Sequence, residues 1–234
     1  MIASSETGIS IEDIDVVWGD TDLVPNGGGT MGSRSLQQGG VAVQKVSIEI
    51  VDQARKLAAQ LLEANESDIV LDKQTGAFHV AGTPAISKSW SDVAKLADVK
   101  SGLTHEGIFV AGSATFPFGS HVAIVEVDTE TGMVKHRRHI ACDDAGRVIN
   151  PLILDGQIHG GLAQGIGQAL LEGAIFDENG QLINGSYMDY CMPRADDLPM
   201  FELDRTETPC PHNPLGVKGA GEAGCIGSTP AVVN

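Results

Sequence analysis

Glu222 stands among small residues in Gly216-Val-Lys-Gly-Ala-Gly-Glu-Ala-Gly224, and Lys218 lies four positions before it. Residues 219–224 spell G-x-G-x-x-G, the letter pattern of a dinucleotide-binding loop. That pattern carries meaning only after a hydrophobic strand, with an acidic residue about 20 positions further on. Here Pro209-Cys-Pro-His-Asn-Pro-Leu215 precedes it and ten residues follow Gly224, so both requirements fail. Nor is it a Walker A loop, because Lys218 is followed by glycine rather than Ser or Thr. What remains is a carboxylate at a predicted helix start, where the positive end of the helix favours the charged form that accepts a proton. Its small neighbours leave room for a large group above it. That pattern describes a general base better than a nucleotide loop.

Three further stretches are richer in glycine or charge than a core requires. In Asn26-Gly-Gly-Gly-Thr-Met-Gly-Ser-Arg-Ser35, glycines free the backbone N–H groups to converge on an anion, and Ser33, Arg34 and Ser35 add donors. A flexible Gly/Ser loop reads equally well from this stretch alone. Residues 155–168 read as helix yet hold five glycines, each costing about 0.5–1 kcal/mol against alanine. The offsetting gain is the approach of a backbone or a bulky ligand to the Gly156/Gly160 and Gly161/Gly165 faces, with Gln157 and Gln164 nearby. Tight helix packing without a ligand is the alternative, and His159 taken alone reads as a structural or surface histidine. In Cys142-Asp-Asp-Ala-Gly-Arg147 the adjacent Asp143 and Asp144 would point opposite ways on a strand, so a turn with a salt bridge to Arg147 is expected rather than a metal pair.

Several elements must position these residues. Alternation predicts a strand over Ile9 to Gly19, and Val46, Ile50, Ala54, Leu57 and Leu61 form an amphipathic stripe on a helix from Val41 to Ala64. A hairpin spans Asp68 to Val80, and Ser89-Trp-Ser-Asp92 is a capping box opening a short helix to about Ala97. His121 to Asp128 is the clearest strand, returning through Met133 to Cys142. A second long helix runs from Pro151 or Leu152 to Leu171. Phe176 to Gly180 is a hairpin turn, followed by strands near Ser186 to Tyr190 and Met200 to Thr206, and a helix begins at Glu222. The fold class is α/β: a mixed sheet with two long helices in one unit over residues 1–234.

Across 234 residues the net charge is −16, which argues against a nucleic-acid or anionic-membrane surface. The one dense basic patch, His136-Arg137-Arg138-His139, reads as a solvated strand face. No apolar run approaches the roughly 20 residues of a membrane span, and the N-terminus lacks a secretory pattern. The four cysteines are scattered without a C-x-x-C pair, which fits reduced thiols in a cytoplasmic protein.

Four ordered stretches together resemble the molybdenum hydroxylases, the family of xanthine dehydrogenase, aldehyde oxidoreductase and the aerobic carbon monoxide dehydrogenase large chain. They are GTMGSRS (29–35), CDDAGRVINPLILDGQIHGGLAQGIGQAL (142–170), GSYMDYCMPRADDLP (185–199) and GVKGAGEAG (216–224). The resemblance implies the second molybdopterin-binding subdomain of the large subunit, truncated at both ends. It implies that Glu222 is the general base in hydroxylating a small carbon substrate (CO, an aldehyde or an N-heterocycle) with water as oxygen source. Gly32, Ser33, Arg34, Ser35, Gln157, Lys218, Gly219, Ala220 and Gly221 would contact the molybdopterin, in its cytosine dinucleotide form, with no direct protein ligand to molybdenum. Expected partners are the upstream half of the large subunit, an iron–sulfur small subunit and an FAD medium subunit. The copper-binding cysteine of the carbon monoxide branch falls in that upstream half, so none of the four cysteines is assigned to it. Ala145 departs from the cysteine common before the glycine. The isolated chain is expected to be inactive, and the alternative reading is a non-catalytic fragment that binds no cofactor alone.

Overall fold

Among the described residues the computed structural model holds two sheets of three strands each, where one mixed sheet was expected. The structure describes residues 1–24, 27–97 and 102–234. Pro25 and Asn26, which open the glycine-rich loop, lie outside the described residues. The chain divides into two compact units, one formed by Met1–Gly29 with Gln38–Val110 and the other by Thr30–Gln37 with Ala111–Asn234.

The first unit begins with α1 (Ile2–Thr7), ended by Gly8 in the left-handed conformation. A π-helical turn over Leu36–Gly40 leads into α2 (Val41–Leu62). The most buried face of α2 is Val41, Ser47, Val51, Ala54 and Ala58, while Val46, Ile50, Leu57 and Leu61 flank it half-buried. Small side chains therefore sit at the centre of the predicted stripe, which lets the neighbouring hairpin approach closely. That hairpin is β1 (Ile69–Asp72) with antiparallel β2 (Ala77–Val80), as the turn residues predict. A third strand, β3 (Thr83–Ser89), pairs with β2 and was not legible in its polar, proline-containing sequence. The capping box opens α3 (Trp90–Leu96) as expected: Ser89 Oγ accepts the Asp92 N–H, and Asp92 Oδ2 accepts the Ser89 N–H. Ala54, Ala58, Ile69, Phe78 and Val93 form the core, with Trp90 edge-on to Phe78 at 5.0 Å between centroids.

The expected strand over Ile9 to Gly19 does not form. Ile11–Asp13 is a short 3-10 turn, and Val16, Val17 and Trp18 are exposed. Alternation alone cannot make a strand: its N–H and C=O groups need a ladder, and no described strand pairs with this segment.

In the second unit β4 (Phe118–Val127) pairs antiparallel with β5 (Val134–Asp144), and β5 pairs parallel with β6 (Phe201–Thr206). The parallel pair needs a crossover, which α4 (Pro151–Leu170) supplies. Asn150 Oδ1 accepts the Ile153 N–H and Pro151 occupies the first helical position, an N-terminus written in the sequence. A last helix, α5 (Ala223–Val233), packs on α4 around Ile158, Leu162, Ile166 and Val232. Close approach here depends on glycine: a Cβ on Gly224 would lie 2.5 Å from the Ile158 carbonyl, and one on Gly165 would overlap Ser228 Oγ. The Phe176–Leu182 bridge and Gly180, at φ 81°, form the expected hairpin turn. The expected strand at Ser186 to Tyr190 is instead a turn in which the Asp189 and Tyr190 N–H groups both bond the Ser186 carbonyl. Among the described residues no helix is long and apolar enough to cross a membrane.

Candidate active site

Strand β5 ends in Asp143 and Asp144, whose carboxylates turn to different partners. Asp144 is buried and accepts from Lys218 Nζ at 2.8 Å, from the Gly146 N–H at 2.9 Å and from Thr206 Oγ1 at 2.9 Å. Burial alone would push its carboxyl up. Lys218, the Gly146 N–H and the hydroxyls of Thr208 and Thr206 outweigh that and hold it down, at about 2. The expected salt bridge to Arg147 is therefore absent. Lys218 reaches Asp144 first because it is itself buried, with its ammonium 4.4 Å from the Phe118 ring centroid.

This ion pair anchors the loop that carries Glu222. The Lys218 N–H bonds the Ala145 carbonyl at 2.8 Å, and the Arg147 N–H bonds the Gly216 carbonyl at 2.9 Å. Asn213 clamps Val217 through both its side-chain amide groups. Gly146 and Gly216 have φ of 68° and 70°, and a Cβ on Gly146 would overlap the Gly216 carbonyl. Thus the loop leaves the sheet end in a single direction, and its next residues meet the Gly/Ser loop.

Ser33 is the meeting point. Its Oγ donates to Glu222 Oε2 at 2.8 Å and accepts the Glu222 N–H at 3.1 Å, joining residues 189 positions apart. Gly32 and Ser33 have successive left-handed φ values of 59° and 53°, a conformation costly for serine that its two bonds to Glu222 hold in place. A Cβ on Gly219 would lie 2.7 Å from Ser33 Cβ, and one on Gly221 would lie 3.2 Å from Gln157 Oε1. Glycine at both positions is what allows the three segments to converge. Glu222 is exposed and takes the N-cap position of α5, with its carbonyl accepting the Ile226 N–H at 3.0 Å. Ala220 closes the turn before it through its carbonyl and the Ala223 N–H. Arg34 is half-buried beside Ser33, and Ser35 Oγ is hydrogen-bonded to Thr30 Oγ1.

The two glycine faces of α4 have different uses. Gly161 and Gly165 meet α5, which is helix packing, whereas Gly156 and Gly160 are exposed and a Cβ on either meets nothing within 4 Å. Gln157, also exposed, lies on that open side and reaches the Gly221–Ser33 contact. An open helix face with the exposed Gln157 amide at its edge fits a bulky, polar group such as a molybdopterin. His159 is structural, its Nδ1–H donating to the Asp155 carbonyl at 2.8 Å. Among the described residues no group of three or more His, Cys, Asp or Glu side chains is arranged to hold a metal ion.

Reading the sequence as a solvated HRRH patch captured only half of it. Arg137 and Arg138 are exposed and pair with Glu126 and Glu202. His139 is fully buried between His121 and His136, and Asp143 pairs with His121 at 3.2 Å. The available signal was His121 and His139 at inward positions of two predicted strands.

A family model described as a molybdopterin cofactor-binding domain matches residues 1–199. The carbon monoxide dehydrogenase large chain of Hydrogenophaga pseudoflava is 40% identical over 235 residues, covering 98% of this chain and 29% of that one. The 6-hydroxypseudooxynicotine dehydrogenase complex subunit gamma of Paenarthrobacter nicotinovorans is 37% identical over 242 residues, covering 100% of this chain and 30% of that one. Among solved structures, reconstituted CO dehydrogenase from Oligotropha carboxidovorans matches with a TM-score of 0.90 at 36% identity, over 99% of this chain and 29% of that chain. The chain spans about 30% of the length of these relatives.

Proposed function

The chain belongs to the molybdopterin cofactor-binding domain family of the molybdenum hydroxylases, and on that premise we propose that it is the Glu222-bearing part of a catalytic large subunit. The observation that carries this reading is the convergence of Ser33, Gln157 and Glu222 beside the open Gly156/Gly160 face. The reaction is hydroxylation of a small carbon substrate (CO, an aldehyde or an N-heterocycle) with water as oxygen source.

When bound, the molybdenum cofactor supplies two-electron redox chemistry at the substrate carbon. Glu222 accepts a proton on its exposed carboxylate. The Ser33 hydroxyl, donating to Oε2, fixes which way that carboxylate faces. Gln157 and the Gly32–Ser35 loop hold the pterin end, with Arg34 and Ser35 donating toward its anionic part. Gly219, Ala220 and Gly221 keep the wall low, and Lys218 braces that wall through Asp144 rather than offering a free charge. The cytosine dinucleotide form, an upstream half of the large subunit, iron–sulfur and FAD subunits and a cytoplasmic setting complete the proposal.

The test is co-expression with a polypeptide covering the rest of such a large subunit, followed by pterin and molybdenum analysis and a dye-linked oxidation assay. Glu222→Gln should keep the cofactor and lower turnover by about 10²–10⁴-fold, the usual worth of a positioned base. Undiminished turnover overturns the base assignment, and a co-expressed assembly free of pterin supports a non-catalytic fragment.

A further inference from the structure

Strand β4 has the composition of a strand buried on both faces, yet only one of its faces is covered. His121, Ala123 and Val125 point inward and are half-buried. Phe118, Ser120, Val122 and Ile124 alternate with them and are exposed, Val122 at 52% and Ile124 at 41%. A sheet with one face in water normally sets polar residues on that face. The rule holds on the far side of this sheet, where β6 turns Glu202 and Asp204 outward and Glu202 pairs with Arg138 of β5. On β4 it fails. Val122 lies directly opposite the half-buried Ile140, and with Ile124 they form an apolar stripe along that side.

The edge beside this stripe is open as well. Among the described residues β4 pairs only with β5, so its outer row of N–H and C=O groups has no strand partner. Sheets protect such edges with short strands, charges, proline or a bulge. The opposite edge, β6, has six residues, of which Glu202, Asp204 and Arg205 are charged. β4 has ten, without proline, lysine or arginine, and Glu126 is its acidic residue. The bulge in the pair lies on β5, where Arg137 is the extra residue and His136 is turned inward. One edge is protected and the other is free to be extended.

We propose that the outer edge of β4 pairs with a strand from the part of the large subunit outside these residues, whose apolar side chains cover Val122 and Ile124. Backbone pairing supplies the affinity, and apolar side chains at alternate positions fix the register. This rests on the reading of the chain as part of such a subunit, and it names the surface through which the two parts join. The chain spans about 30% of the length of the relatives it matches, so most of such a subunit lies beyond it. A second copy of this chain suits the edge less well, because each copy brings a net charge of −16 and the two repel.

Hydrogen exchange read by mass spectrometry, on the chain alone and on the assembly co-expressed with the rest of a large subunit, tests this. The outward amides of residues 120–126 should exchange freely in the chain and be protected in the assembly. Val122→Lys combined with Ile124→Lys should leave the urea midpoint of the chain unchanged, because both side chains already stand in water. The same pair should lower recovery of the co-expressed polypeptide at least about tenfold, since burying an unpaired ammonium is costly. Asp204→Lys, on the protected edge, should leave that recovery unchanged. Equal exchange of residues 120–126 in the chain and in a pterin-loaded assembly overturns the pairing and leaves the large-subunit reading standing. Protected amides in an assembly without pterin or molybdenum support the pairing and remove the catalytic reading. Protection that arises in the chain alone and grows with its concentration assigns the edge to a second copy and overturns the proposal.

Discussion

Asp144 does more for this molecule at the residue scale than its adjacent twin. It takes the Lys218 ammonium, the Gly146 N–H and the Thr206 hydroxyl, and so ties the end of β5 to the loop that delivers Glu222. Removing one member of a buried ion pair strands the other charge, which costs about 3–5 kcal/mol. Asp144→Ala should therefore lower stability by about that amount in urea unfolding, whereas Lys218→Met combined with Asp144→Leu should recover much of the loss. The pH sign follows from a folded value near 2 against 3.8. Its contribution is complete above the unfolded value and disappears as pH falls through the folded one. In the sequence, Asp-Asp before a glycine announced a turn, but nothing local said that Lys218 rather than Arg147 would answer it.

At the scale of elements, α4 and α5 show why a helix would carry so many glycines. Gly161, Gly165 and Gly224 let the two helices touch, and Gly156 and Gly160 leave a face open. Opposite outcomes are expected from the same substitution. Gly224→Ala should destabilise by about 1–3 kcal/mol, because its Cβ meets backbone that cannot move aside. Gly160→Ala should stabilise the chain by about 0.5–1 kcal/mol through helix propensity. If the open face holds the pterin, Gly160→Ala should also reduce the pterin content of the co-expressed assembly. Thermal unfolding with pterin analysis of both variants checks the pair. The glycine excess was legible as a cost, but which face spends it on packing depends on where α5 lies.

For the whole molecule, the buried histidines set the acid limit of stability. His139 has a folded value of about 4 against 6.5, lowered by burial, and burial lowers His136 in the same direction. The unfolded chain therefore binds protons that the fold refuses between these values, and stability falls as pH drops from about 6.5 to 4. His139 alone contributes on the order of 3 kcal/mol to that loss. The urea midpoint should fall across this window, and His139→Phe should flatten the fall. Acid loss from Asp144 begins only below 3.8, so the two groups separate on the pH axis.

Local chemistry is what the sequence determined by itself. The β1–β2 hairpin, the Ser89–Asp92 capping box, the Asn150–Pro151 start of α4 and the turn at Gly180 follow from dihedral preferences and hydrogen bonds spanning a few residues. The glycines around Glu222 likewise announced a carboxylate with clearance. Tertiary structure alone decided that Ser33 would bond Glu222 across 189 positions, and that Lys218 would take Asp144. It also decided that a bulge would put His136 in line with His139, and that the stretch from Ile9 to Gly19 would find no strand partner. Such pairings depend on which distant groups share a buried place, and burial strengthens a charge pair or penalises an ionised imidazole only once the whole chain has closed around it.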